Sequence, residues 1–210
     1  MYKVERLEVG QLKANCYIVA KNEQEVVEDN GDDPEYIINK IRDLDVSPVA
    51  TVATHGHFDH VMAAAEVKLA YNIPFIASRD DVFLLERVPE TAKHFLKIEA
   101  PPAPAPDFEV KEGSDISFEN IEFEILAISG HSPGSVAYYN KKEAIVFSGD
   151  LVFADGLVGR TDLSYSNKEE LKRSIIKLLQ LPGKTIVYPG HGERTTINEL
   201  KTIFDKQLGG

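Results

Sequence analysis

The sequence predicts an α+β fold in which two sheets pack face to face with helices on the outside. Three observations predict it. Short apolar, β-branched segments recur in both halves of the chain, amphipathic helical stripes follow them, and a histidine or aspartate stands where several strands end. A helix with one apolar stripe must bury it on another layer, and two stacked sheets flanked by helices satisfy every stripe at once.

Taken in order, residues 4–9, 16–20 and 25–28 read as a meander of short antiparallel strands. Asp33-Pro34 offers an N-cap followed by proline at the first helical position. Ile37, Ile38, Ile41 and Leu44 then recur at helical spacing. Residues 49–53 form an apolar strand that runs into Thr54-His55-Gly56-His57-Phe58-Asp59-His60, and a second helix carries Ala64, Val67, Leu69 and Ala70. A strand at 73–77 and a short helix at 81–87 follow. Residues 89–107 show neither period, and Pro101-Pro102-Ala103-Pro104-Ala105-Pro106 predicts an extended linker between the halves or the rim of a cleft. The second half predicts strands at 115–118, 121–128, 135–139 and 144–148. Ser166-Asn167-Lys168-Glu169 resembles a capping box before the stripe Leu171, Ile175, Leu178 and Leu179. A strand at 185–188 and a terminal helix with Ile197, Leu200 and Phe204 complete the pattern.

Composition narrows the function. The chain has 210 residues, 43% of them hydrophobic and 27% charged, which fits one compact domain spanning 1–210. A formal net charge of −11 opposes nucleic acid and anionic membranes and favours a small-molecule substrate. The single cysteine, Cys16, lies in an apolar strand and reads as core, and the charged N-terminus has no secretory pattern, so a cytoplasmic location is expected. Oligomeric state is not readable.

Three of the six histidines fall in His55-x-His57-x-Asp59-His60. Alternate residues of an extended segment share a face, so His55 and His57 project together, while Asp59 and His60 point from the helix entrance toward a second position nearby. A metal site accounts for all four residues. His131, Asp150 and His191 extend it, since each follows a strand and a glycine on a turn-rich loop. His94 lacks that context and reads as a surface residue.

This pattern resembles the metallo-β-lactamase superfamily, and within it the glyoxalase II-like (hydroxyacylglutathione hydrolase-like) hydrolases. The resemblance is carried by Asn15-Cys16-Tyr17, the run from Thr54 to His60, Gly130-His131-Ser132-Pro133-Gly134-Ser135, Gly149-Asp150, Gly159-Arg160-Thr161-Asp162-Leu163 and Pro189-Gly190-His191-Gly192. It implies a four-layer αββα sandwich and two divalent metal ions. One would be held by His55, His57 and His131, the other by Asp59, His60 and His191, with Asp150 bridging both. Nitrogen and oxygen donors without thiolate suit Zn, Fe or Mn, with Zn the first expectation. Asp29, in the acidic turn Glu28-Asp29-Asn30-Gly31, would hydrogen-bond a ligating histidine. The reaction implied is hydrolysis of a small-molecule thioester by a metal-bridging hydroxide, with Asp59 and Asp150 as the catalytic carboxylates.

The sequence departs from full-length glyoxalase II in lacking its C-terminal helical domain, which supplies basic residues for the thiol carrier. Arg160 falls near the family's substrate-binding lysine on a loop one residue longer, and it could equally pair with Asp155 or Asp162. Tyr165 and Arg194 are further candidates for the cleft. A persulfide dioxygenase, with one iron on His55, His131 and Asp150, is an alternative of a different class, and lactone hydrolysis is a closer one. The acidic charge disfavours a nuclease, and His57 stands where flavin-partnered diiron reductases place a glutamate. A domain that only retains the fold would lose ligands, and all seven are present.

Overall fold

The computed structural model describes residues 2–118 and 120–208 and contains two six-stranded sheets, each with its strands in chain order. The first sheet runs β1 (Lys3–Val9), β2 (Ala14–Lys21), β3 (Gln24–Glu28), β4 (Ser47–Val52), β5 (Phe75–Ser78) and β6 (Phe108–Val110). It opens as an antiparallel meander and becomes parallel from β3 onward. The switch coincides with the helical crossovers α1 (Pro34–Leu44), α2 (Phe58–Val61) and α3 (Ala64–Tyr71), since parallel neighbours need a long return. Two further helices, α4 (Val82–Glu86) and α5 (Val88–Leu96), precede β6.

The second sheet runs β7 (Asp115–Phe118), β8 (Ile121–Ala127), β9 (Val136–Asn140), β10 (Ile145–Gly149), β11 (Ile186–Pro189) and β12 (Thr195–Thr196). Its one parallel pair, β10 with β11, is joined through α6 (Lys168–Leu178), and α7 (Ile197–Leu208) follows β12.

Strand alternation sorts side chains into layers. Tyr17, Val19, Val26, Val52, Phe123, Ile125, Tyr138 and Phe147 fill the space between the sheets. Leu7, Cys16 and Val27 face outward onto Ile37, Ile41 and Val67 of the helices. Val146 and Val187 of the second sheet likewise meet Leu171, Leu178, Ile197 and Leu200. The result is the expected αββα sandwich, and Cys16 is fully buried in it as core.

Several local expectations are corrected. Residues 89–107 are not uniformly irregular, because α5 occupies their start. Pro89 sits in its first turn, where no backbone N–H is needed, so the proline that broke the pattern begins a helix instead of preventing one. Leu69 belongs to no buried stripe and is 77% exposed; α3 buries Ala64 and Val67. Asp33 stands at the N-cap of α1 in the left-handed region, and its carboxylate accepts from Gly10 N at 2.9 Å rather than from the helix. The cap of α6 is Asn167, whose side chain accepts from Glu169 N and Glu170 N, one residue later than the capping-box reading places it. Among the described residues no helix is long and apolar enough to cross a membrane.

Candidate metal centre

The expected metal ligands lie on loops that leave strand ends, except Asp59 and His60, which stand in the short helix α2 that follows β4. The chain leaves β4 through Thr54, His55 and Gly56 and enters α2 at His57, which holds an extended conformation with φ −70° and ψ 144°. His131 follows β8, Asp150 follows β10 and His191 follows β11. Two clusters that join both halves of the chain result, beside a third, Asp29 with His55 and His60, drawn from the first half alone. The donor atoms of His55, His57 and His131 lie within 4.8 Å of one another, and so do those of Asp59, His60 and His191.

Asp150 stands between them. Its Oδ1 is 3.6 Å from His60 Nε2, and its Oδ2 is 3.6 Å from both His131 Nε2 and His191 Nε2. Asp59 Oδ2 is 3.5 Å from His191 Nε2 and 3.8 Å from His60 Nε2. These separations are long for hydrogen bonds. They match the roughly 3.4 Å expected between two ligands placed about 2.1 Å from one tetrahedral cation. Glycine at 190 makes the approach possible, since a Cβ there would lie 2.1 Å from Asp150 Oδ1.

The outer nitrogens fix which atoms face inward. His131 Nδ1 meets the Arg160 carbonyl at 3.0 Å and His191 Nδ1 meets the Lys13 carbonyl at 3.2 Å, and a carbonyl can only accept. His60 Nδ1 lies 3.1 Å from Asp29 Oδ2. Thr54 Oγ1 donates to Asp29 Oδ2 at 2.6 Å and is therefore free to accept from His55 Nδ1 at 3.1 Å. Each of these four rings thus carries a proton on Nδ1 and presents Nε2 to the centre. His57 is reversed: its Nε2 contacts Tyr165 Oη at 2.8 Å, which leaves Nδ1 as its available donor.

A cation fits this set. Among the described residues, Nε2 of His55, His60 and His131 and Oδ1 of Asp150 are buried without a hydrogen-bond partner. Folded proteins rarely leave such groups unmet, and four facing the space around Asp150 ask for positive charge there. The electrostatics agree. Burial, then the neighbouring imidazoles, pushes His55 well below its ordinary pKa, and the same causes push His57 down to about 3. Burial opposes charge on His60, yet Asp150, Asp59 and Asp29 outweigh it and push the group up to about 10. Burial would raise Asp59, but His60, His191 and His57 hold it below the usual carboxylate range.

Asp29 is placed beside this centre as expected. Its carboxylate is occupied by Thr54 N, Thr54 Oγ1 and His60 Nδ1, so it supports two histidines and has little capacity left for a ligand role. Arg160 lies on the cleft, but its guanidinium pairs twice with Asp162 at 2.7 Å, while Asp155 accepts from Leu157 N. Arg194 is a correction: it is exposed and does not line the cleft, because the chain turns away after His191 into β12. His94 is exposed as expected, yet α5 places it on the cleft wall.

The centre opens into a cavity of about 690 Å³. One wall is apolar and went unseen in the sequence because α5 did. Phe95 of α5, 50% exposed, stacks on Phe58 of the histidine motif with ring centres 5.7 Å apart, and Leu84 and Leu12 also border the space. Asp81 was missed as well. It is buried behind the cleft and bonded to the His55–His57 loop through a residue 25 positions away and to the His131 loop through residues 51 and 53 positions away, so no local pattern announces it.

A family model described as the metallo-β-lactamase superfamily matches residues 9–191. Hydroxyacylglutathione hydrolase GloC of Haemophilus influenzae is 34% identical over 94% of each chain. The crystal structure of BLEG-1 B3 metallo-β-lactamase is similar with a TM-score of 0.88 at 33% identity, covering 95% of both chains. That of TTHA1623 in a di-iron-bound form gives a TM-score of 0.86 at 36% identity, covering 94% of this chain and 96% of that one.

Proposed function

The chain belongs to the metallo-β-lactamase superfamily of metal-dependent hydrolases, and from that premise we propose that it hydrolyses small-molecule thioesters. Two divalent cations would be held, one by His55, His57 and His131 and the other by Asp59, His60 and His191, with Asp150 shared. The observation that carries this reading is the position of Asp150, 3.6 Å from histidines of both clusters. Similarity to a di-iron-bound structure supports two cations, and similarity to a hydroxyacylglutathione hydrolase supports a thioester.

When bound, such a pair supplies a water acidic enough to attack at neutral pH and a Lewis acid for the acyl oxygen. The protein's own residues do the rest. Asp59 and Asp150 would orient the attacking water between the clusters. Phe58 and Phe95 exclude bulk water from one side of the cleft. Tyr165 becomes a donor through the tautomer of His57. With His57 Nδ1 turned inward, its Nε2–H donates to Tyr165 Oη, and the phenolic proton is free for a substrate oxygen. Tyr165→Phe is expected to lower kcat/KM by about 5- to 30-fold, the worth of one hydrogen bond of about 1–2 kcal/mol, with metal content unchanged. Steady-state kinetics beside metal analysis of the same preparation check this.

The deciding experiment is metal analysis of the purified protein with an activity panel of thioesters, lactones, β-lactams and persulfides. Two cations per chain and oxygen-independent thioester hydrolysis are expected. A single iron with oxygen consumption on persulfide would replace this reading by the dioxygenase one, and a higher kcat/KM on lactones or β-lactams would overturn the thioester assignment.

A further inference from the structure

Asp81 sits between β5 and α4, is 1% exposed, and belongs to neither metal cluster. Its carboxylate gathers three donors. Oδ2 accepts from Gly56 N at 2.9 Å and from Ser132 Oγ at 2.6 Å, and Oδ1 accepts from Gly134 N at 2.7 Å. Gly56 lies between His55 and His57, while Ser132 and Gly134 follow His131. Two loops from opposite halves of the chain are therefore fastened to one side chain. The fit is close: a Cβ on Gly134 would lie 2.7 Å from Asp81 Cγ.

We infer that Asp81 is a positioning residue that sets the separation of the His55–His57 loop from the His131 loop, and thereby tunes the affinity of one cation site and not the other. The second cluster is fastened elsewhere. His60 is held by Asp29 and His191 by the Lys13 carbonyl, and Asp81 makes no hydrogen bond to residues 58–61 or 189–192 among the described residues. Only a carboxylate suits the place, since it offers about four acceptor sites and no donor. An asparagine would turn its amide N–H₂ toward a backbone N–H of Gly56 or Gly134, leaving donors buried against each other.

The inference rests on the two-cation reading above, and zinc titration of the metal-stripped protein against a chromophoric chelator separates the two. The wild-type chain should bind two Zn²⁺. Asp81→Asn should keep one at wild-type affinity and weaken the other by about 10- to 100-fold, the scale for losing a group that orients metal ligands. Ser132→Ala removes one of the three bonds without touching the carboxylate, and should weaken the same cation by a smaller factor. This second variant decides the matter where Asp81→Asn fails to fold. Equal weakening of both cations, or no change in either, overturns the inference and leaves Asp81 a structural residue. A wild-type chain that binds one Zn²⁺ overturns the two-cation reading instead. Asp81 then keeps its assigned role only if Ser132→Ala weakens that cation while the melting temperature of the metal-free chain holds.

Discussion

Asp150→Ala is expected to lose the paired-cation complement and to lower turnover on the order of 10³-fold or more, the scale seen when one member of a group acting as a unit is removed. Among the described residues Asp150 is the carboxylate that lies 3.6 Å from histidines of both clusters, so its removal leaves each set with histidines that no shared negative charge holds together. Two controls make the result specific. The carboxylate has a buried oxygen without a hydrogen-bond partner among the described residues, so its loss should not lower the melting temperature of the metal-free chain. A chelator should lower the melting temperature of the wild type, since a ligand that binds only the folded state stabilises it by mass action, and should leave the variant unmoved. Full metal content and full activity in Asp150→Ala would sink the proposed function.

The second large effect concerns stability and lies away from the centre. Glu25 on β3 is 0% exposed, and neither carboxylate oxygen has a hydrogen-bond partner among the described residues. Burial pushes its pKa up to about 8. Between the ordinary carboxylate value and about 8 the folded chain therefore holds a proton that the unfolded chain has released. The unfolded state binds fewer protons, so stability falls as pH rises, by roughly 1.4 kcal/mol per pH unit from this group alone. The stabilisation is fully present below the unfolded pKa and is lost as pH climbs through the folded one. Glu25→Gln cannot titrate. Its urea midpoint should fall less than that of the wild type between pH 5 and 8, so the two curves diverge in the variant's favour toward the alkaline side. Parallel curves would show that Glu25 is ionised when folded. Glu28, buried between the sheets, is also pushed well above its ordinary value, so a residual slope is expected in the variant.

Most strands and the clustering of the candidate metal donors were legible because their signals are local. Val26, Val27, Ile125 and Val146 carry strand character in their own side chains, and His55 to His60 places four donors within one turn of chain. Three kinds of feature were hidden. The helix α5 was masked by Pro89, a residue that ends helices in most positions and begins them in one. Leu69 matched a helical period but faces solvent, because periodicity reports that a stripe exists and not which neighbours cover it. Asp81 acts on residues at least 25 positions away through three hydrogen bonds, and such a pairing leaves no repeat to read, whereas Tyr165 lines the cleft as expected. Arg194 was drawn in by nearness to His191 along the chain, although β12 carries it off.

The chain-order strands of the two sheets have a consequence for how the molecule comes together. Within each sheet every strand pairs with strands of its own half, so each half can complete its hydrogen-bonded ladder before the Ala14–His191 bridge joins the two. Neither half can complete either of the two clusters that Asp150 joins. The first contributes His55, His57, Asp59 and His60, the second His131, Asp150 and His191, and both clusters draw on both. A cation held as proposed would therefore clamp the interface between the halves, and its affinity would report how well they have docked.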